Sequence, residues 1–196
     1  MPRVLHLLAH PGLPASRVNA AMWAAARGVE GVTRADLYAE YPRYGIDVAT
    51  EQARLVAHDV LVLQFPLFWY SCPALVKEWI DLTFEHGFAY GAGGDRLHGK
   101  VLQLAITTGG TAEAYRPGGH NHYEIRTFLT PFEQTARLSG MRFAAPYVLH
   151  GALRREPADH AQGFARLLRG WATGRVDEAV FAHPILTHDT LPIPEG

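Results

Sequence analysis

FPLFWYSCPALVKEWID, from Phe65 to Asp81, decides the fold. It continues an apolar run, Val60-Leu61-Val62-Leu63, through Gln64. Consecutive apolar residues, two of them β-branched, read as a strand buried on both faces. Pro66 has no N–H for a ladder, so the strand ends there. Pro73 suits a first helical residue, with Ser71 or Cys72 just before it. Leu75, Val76, Trp79, Leu82 and Thr83 then recur on one face, while Lys77, Glu78, Asp81 and Glu85 take the other. That pattern predicts an amphipathic helix. The joint between the two elements carries Leu67, Phe68, Trp69 and Tyr70, where loops are normally polar. In a parallel sheet such a joint lies at the carboxyl ends of the strands, where open α/β folds bind ligands. A flat apolar ligand is one explanation; a hydrophobic plug or a subunit contact is another, since Trp and Tyr favour interfaces.

The same alternation extends in both directions. Val4 to Ala9 reads as a first strand ended by His10-Pro11-Gly12, and Ser16 as the N-cap of a helix that stops near Gly28. Thr33 to Leu37 makes a second strand, followed by an irregular aromatic stretch from Tyr38 to Gly45. Asp47 caps a helix through Val56. Residues 87–97 are too glycine-rich for a helix. Val101 to Thr107 is a fourth buried strand, running into Thr108-Gly109-Gly110. After an irregular stretch from Thr111 to Tyr123, Thr130-Pro131-Phe132-Glu133 fits a capping box. Phe143 to Leu149 supplies a fifth strand, and a last helix begins near Pro157. The tail, 176–196, with Pro184, Pro192 and Pro194, reads as a strap on the surface of a single domain, 1–196. Strands alternating with helical patterns five times predict a doubly wound parallel sheet of order 2-1-3-4-5.

Composition narrows the class. The chain has 196 residues, 48% of them apolar, enough for a substantial core. A formal net charge of -1 gives no electrostatic case for nucleic acid. No run reaches the roughly 18 apolar residues that span a bilayer, and the start leads into a strand rather than a signal peptide. The single cysteine, Cys72, suits a reducing cytosol; its reading is that of a packing residue. Trp79, Phe84 and Phe132 fall at helical core spacing. His120 and His122 are spaced H-x-H without further ligands, so no metal site is expected.

In the predicted order the loops after strands one, three and four converge. The first offers His10, Ser16, Arg17, Val18 and Asn19 at a helix N-terminus, where free N–H groups and the dipole favour an anion; taken alone, this loop reads better as an ordinary N-cap with a surface arginine. The third holds Pro66, Leu67, Phe68, Trp69 and Tyr70. The fourth brings Thr107, Thr108, Gly109 and Gly110, whose bare backbone permits close approach. There is no GxGxxG or P-loop lysine motif. A phosphate end, a flat apolar wall and a bare-backbone wall together describe a flavin mononucleotide (FMN) site.

FPLFWYSCPALVKEWID, HGFAYG (residues 86–91), LHGK (97–100), TTGG (107–110) and PFEQTARLSGMRF (131–143) resemble the flavodoxin-like NAD(P)H:quinone oxidoreductase family, nearest to ancillary subunits of Kef-type glutathione-gated potassium-efflux systems. The resemblance runs from His10 to about His150. It implies a flavodoxin-like three-layer sandwich, bound flavin, a homodimer with sites at its interface, and a cytoplasmic location, peripheral to the inner membrane where a transporter partner is engaged. It also implies hydride transfer from NAD(P)H to the flavin, then two-electron reduction of a quinone or similar acceptor. Larger relatives hold FAD with a longer C-terminal region, so FMN is expected here. Tyr115 and His120 match the Tyr and His that stabilise charge in those relatives, with His122 as the fallback. The alternative from another class is a regulatory ancillary subunit of a Kef-type antiporter whose reductase activity is secondary or absent. Arg154 and Arg155, after the fifth strand, are read as solvated or as attracting the phosphate of NADPH, and Tyr41, Tyr44 and the tail as cover for a dimer seam.

Overall fold

The apolar runs pair side by side in a computed structural model that describes residues 1–193. The strands are β1 (Val4–Leu8), β2 (Val32–Asp36), β3 (Val60–Pro66), β4 (Val101–Thr107), β5 (Arg142–Phe143) and β6 (Tyr147–Leu149). They form one parallel sheet of order β2-β1-β3-β4-β5, with β6 also pairing with β4. All seven residues of β3 and all seven of β4 are buried, as strands covered by helices on both faces must be. Their register sets Pro66 beside Thr107 at the carboxyl edge, and Leu67 N–H donates to the Thr107 carbonyl (2.8 Å).

One face is covered by α1 (Arg17–Ala25) and α6 (Ala158–Thr173), which pack Val18, Met22, Phe164, Leu167 and Leu168 onto the sheet. The other face carries α3 (Val48–Ala57), α4 (Ala74–Thr83) and α5 (Thr130–Leu138), burying Leu55, Leu75, Trp79 and Phe132. Burying one such side chain stabilises the fold by about 1.5–3 kcal/mol. Trp79, Phe84 and Phe132 therefore sit in the core, as their spacing predicts. Cys72 is half-buried, and burial pushes its thiol pKa up.

Several local expectations are corrected. The fifth strand is two pieces because Ala145 turns its N–H to the Val180 carbonyl (2.9 Å) and Pro146 has none to give. The stretch after β2 is not wholly irregular: Asp36 accepts from Tyr38 and Ala39 N–H and caps a single turn, α2 (Leu37–Glu40). Pro73 is the cap residue of α4 rather than its first residue, and Leu82 faces outward at 37% exposure. Thr130 and Glu133 make no capping box. Thr130 Oγ1 donates to Thr127 O (3.0 Å), and Glu133 is taken by Arg126 (3.0 Å) and Arg137 (2.6 Å).

The tail supplies the sheet's missing neighbour. Val148 N–H donates to the Leu186 carbonyl (2.9 Å), and Val180 and Leu186 are fully buried. Pro194 lies outside the described residues. Tyr41 is also internal, hydrogen-bonded to Glu51, and so cannot cover a seam, whereas Tyr44 is exposed.

Candidate functional site

Three β-to-α joints meet at the carboxyl edge of β1, β3 and β4, the position the strand order dictates for a ligand cleft. Between them lies a cleft of about 370 Å³ lined by His10, Ser16, Arg17, Val18, Asn19, Pro66, Leu67, Phe68, Thr107, Thr108 and Gly109. A second cleft of about 310 Å³ shares Leu67 and adds Trp69, Tyr70, Gly110, Tyr115 and His120. Every residue named from the sequence as cofactor-binding or catalytic thus lines one of two adjoining spaces. The fallback, His122, lines neither.

The first joint ends in a helix N-terminus. Ser16 caps α1, and the first intrahelical bond runs from Ala20 N–H to the Ser16 carbonyl (3.0 Å). The Arg17 and Val18 N–H groups precede that bond and face the cleft end of the helix dipole. Arg17 is paired with Glu156 (2.8 Å), both side chains being exposed. Gly12 N–H donates to His10 Nδ1 (3.0 Å), which leaves the hydrogen on Nε2. Burial holds the His10 pKa below the ordinary imidazole value.

The second joint is a two-residue hairpin. Phe68 and Ser71 exchange both backbone hydrogen bonds (3.0 and 2.9 Å), and Trp69 and Tyr70 between them both take left-handed φ, 48° and 63°. This is the conformation that Asn-Gly normally supplies, and it costs a side-chain-bearing residue roughly 1–2 kcal/mol. It stands three aromatics at the cleft mouth, with Trp69 93% exposed. Tyr70 stacks on Phe128 (centroids 5.1 Å apart) and donates to Asn121 Oδ1 (3.3 Å).

The third joint brings bare backbone. A Cβ on Gly110 would come within 3.1 Å of the Tyr115 ring, so that ring lies against peptide rather than side chain. Burial pushes the Tyr115 phenol pKa up, so the group stays protonated as a donor at neutral pH. His120 is exposed at the rim of the same cleft.

Sequence reasoning missed a fourth wall. Ala152 and Leu153, after β6, close the first cleft. His150 stands beside Tyr115 (centroids 5.4 Å apart) with Nδ1 3.2 Å from Thr108 Oγ1. Thr108 Oγ1 donates to the Gly110 carbonyl (2.7 Å), so it accepts from His150 Nδ1–H. Burial, then the nearby Arg155 cation, holds the His150 pKa down and keeps the ring neutral. Its signal was available: it directly follows the last strand, where this topology puts its functional residues.

Residues 2–173 match a family described as flavodoxin-like fold. The glutathione-regulated potassium-efflux system ancillary protein KefG of Yersinia enterocolitica is 44% identical over 177 residues, 88% of this chain and 96% of that protein. General stress protein 14 of Treponema denticola, solved in complex with FMN, has a TM-score of 0.79 at 35% identity, covering 88% of this chain and 99% of that one. The NADPH-quinone reductase of P. pentosaceus has a TM-score of 0.76 at 31% identity, covering 87% and 97% respectively. Among the described residues no helix is long and apolar enough to cross a membrane.

Proposed function

The chain belongs to the flavodoxin-like fold family, and from that premise we propose that it is an FMN-dependent NAD(P)H:quinone oxidoreductase. The observation that carries this reading is the convergence of a helix N-terminus, an aromatic hairpin and a bare Gly-Gly segment on one cleft. The residues present fit FMN. Arg17, the Ser16 hydroxyl and the first N–H groups of α1 suit a phosphate dianion. Leu67, Phe68, Trp69 and Tyr70 suit the flat ring, and the Gly110 backbone admits its edge. The FMN complex of the Treponema denticola relative supports the same cofactor.

Bound FMN would accept a hydride from a reduced nicotinamide and return both electrons to a quinone or similar acceptor. The protein's part is to bind, orient and handle protons. The Tyr115 phenol, protonated at neutral pH, offers a hydrogen bond where negative charge develops at the ring edge. His120, at the rim, reaches solvent and can exchange the accompanying proton with the acceptor. The hairpin aromatics crowd the cleft mouth, so donor and acceptor would take turns in one site, which predicts ping-pong kinetics. A homodimer would complete the exposed aromatic mouth.

The test is direct. The purified protein is expected to be yellow, or to become so with added FMN, and to oxidise NADPH saturably with a benzoquinone. A colourless protein that refuses FMN would end this reading. The 44% identity to KefG along most of both chains supports a second role, as an ancillary subunit docked on a Kef-type antiporter at the inner membrane. Co-purification with such a transporter tests it, and both roles can hold at once.

A further inference from the structure

Beneath the cleft a chain of buried side-chain hydrogen bonds runs from β1 through β3 to α1 and β4, and its direction is fixed at one atom. Gln64 Nε2 lies 3.0 Å from the Asn19 backbone carbonyl, which only accepts, so the nitrogen of the Gln64 amide must face it. The same nitrogen is 3.1 Å from the Asn19 side-chain amide, whose facing atom is therefore Oδ1. That leaves Asn19 Nδ2 toward Ser16 Oγ (3.1 Å) and Thr107 Oγ1 (3.0 Å), spending one hydrogen on each. Gln64 Oε1, turned the other way, accepts from His6 Nε2–H (2.9 Å). His6, Gln64 and Asn19 are buried, and neither His6 nor Gln64 lines the cleft.

The consequence appears at the cleft wall. Ser16 Oγ also receives the Asn19 backbone N–H (3.4 Å), so both of its lone pairs are engaged. Thr107 Oγ1 has one lone pair engaged. Each hydroxyl hydrogen is thereby turned away from Asn19, and both residues line the cleft. We propose that Gln64 is a positioning residue that sets the polarity of this chain, so that Ser16 and Thr107 present themselves as donors to an acceptor-rich ligand. This inference rests on the FMN reading, in which the acceptors are phosphate and ribityl oxygens. A ligand approaching with donors at those two places would meet hydrogens, so the same polarity is a specificity device.

The experiment is a double-mutant cycle on FMN binding to apoprotein, read by quenching of flavin fluorescence. Gln64→Met frees the Asn19 amide to rotate and is expected to weaken FMN binding about ten-fold, the scale of one well-placed hydrogen bond. In the Ser16→Ala, Thr107→Val background the same substitution should change affinity by less than about two-fold, because the hydroxyls through which it acts are gone. An equal loss in both backgrounds would assign Gln64 a merely structural role and overturn the proposal, as would no loss in either. Should Gln64→Met fail to fold, Gln64→Glu, of the same length and without the two amide hydrogens, is read in the same cycle. A flavin-free arm keeps the two readings apart. Side-chain amide protons of Asn19 and Gln64 should exchange slowly in the wild-type protein, and those of Asn19 should speed up in Gln64→Met. Fast exchange of Asn19 in the wild type would overturn the polarity whatever the protein binds, whereas slow exchange without FMN binding would remove the flavin reading alone.

Discussion

Mild acid should destabilise this protein through two internal histidines. His6 is packed beneath α1 and α6 against Trp23 and Phe164, with Arg34 nearby, and burial lowers its pKa from 6.5 to about 3. His160, stacked on Tyr147 with His188 and Arg155 facing it, is lowered to about 3 for the same first cause. A folded-state pKa below the unfolded value means that the unfolded chain takes up protons first. The stabilisation is therefore complete above pH 6.5 and is lost as pH falls toward 3. At pH 5 the unfolded imidazoles lie about 1.5 units past their midpoint, so each costs about 2 kcal/mol and the pair about 4 kcal/mol. His10 and His150, also shifted down by burial, add in the same direction. Urea melts of apoprotein at pH 7.5 and 5 should differ in midpoint by about 1.5–2 M. The double variant His6→Phe, His160→Phe should flatten the difference even if less stable overall. A wild-type midpoint unmoved across that interval, or a double variant with the same slope, would refute the reasoning.

Three further outcomes are expected. Trp69→Gly removes the left-handed strain of an exposed residue and loses little burial. Relief of about 1–2 kcal/mol against about 0.5–1 kcal/mol of added chain entropy should leave apoprotein slightly more stable while FMN is held less firmly; a lowered melting temperature would count against the hairpin geometry. Glu51, fully buried, accepts from Tyr41 Oη (2.7 Å), Arg54 Nη1 (2.7 Å) and Trp79 Nε1 (2.8 Å). Glu51→Ala strands Tyr41 Oη and Trp79 Nε1 and leaves Arg54 with Glu40 alone, and should cost about 3–5 kcal/mol in chemical melts; a loss under 1 kcal/mol would show the cluster to be dispensable. Glu156 holds Arg17 in an exposed pair worth at most about 1 kcal/mol. Glu156→Gln should therefore tighten FMN binding up to about five-fold with no gain for riboflavin, which lacks the phosphate; equal gains for both would exclude competition at Arg17.

What the sequence made legible was what local pattern controls. β1, β3 and β4 are short apolar runs bounded by proline, glycine or polar joints, and the alternation with amphipathic helices leaves few strand orders, so the cleft's place followed. The residues of three of its walls followed too, because they cluster within three short segments; the wall after β6 did not. What stayed hidden depends on partners far apart in the chain. Glu51 reads as a polar position in α3 until Trp79, on α4, is brought against it. The capping box of α5 satisfies the local rule, but Arg126 and Arg137 compete for Glu133 and win. Val180 and Leu186 show no period, since a strap touches the sheet at separate points. His150 sat in plain view behind a strand that Pro146 divides, which blurred the register of its joint.

Two glutamines inside fully buried strands show how a rule broken in the sequence reports its own purpose. A side-chain amide in such a strand costs free energy unless each hydrogen finds a partner, so what it binds says why it is tolerated. Gln103, in β4, donates to the Ala145 carbonyl (2.5 Å) and accepts from Trp171 Nε1 (3.3 Å); both partners belong to the broken strand and to α6, so its work is to hold the sheet edge. Gln64, in β3, spends its hydrogens on Asn19 alone, a residue of the cleft wall. Leucine at 103 would have to be answered by repacking the edge. Leucine at 64 would leave the strands paired, but it would take the acceptor from buried His6 Nε2–H and release the direction of the hydroxyls above it. The backbone repeats the distinction: of the four non-glycine residues with left-handed φ among those described, Trp69, Tyr70 and His122 lie in the two loops around the second cleft. Left-handed strain gathers on the side of the sheet where the joints converge, which is where a fold under no other demand would have used glycine.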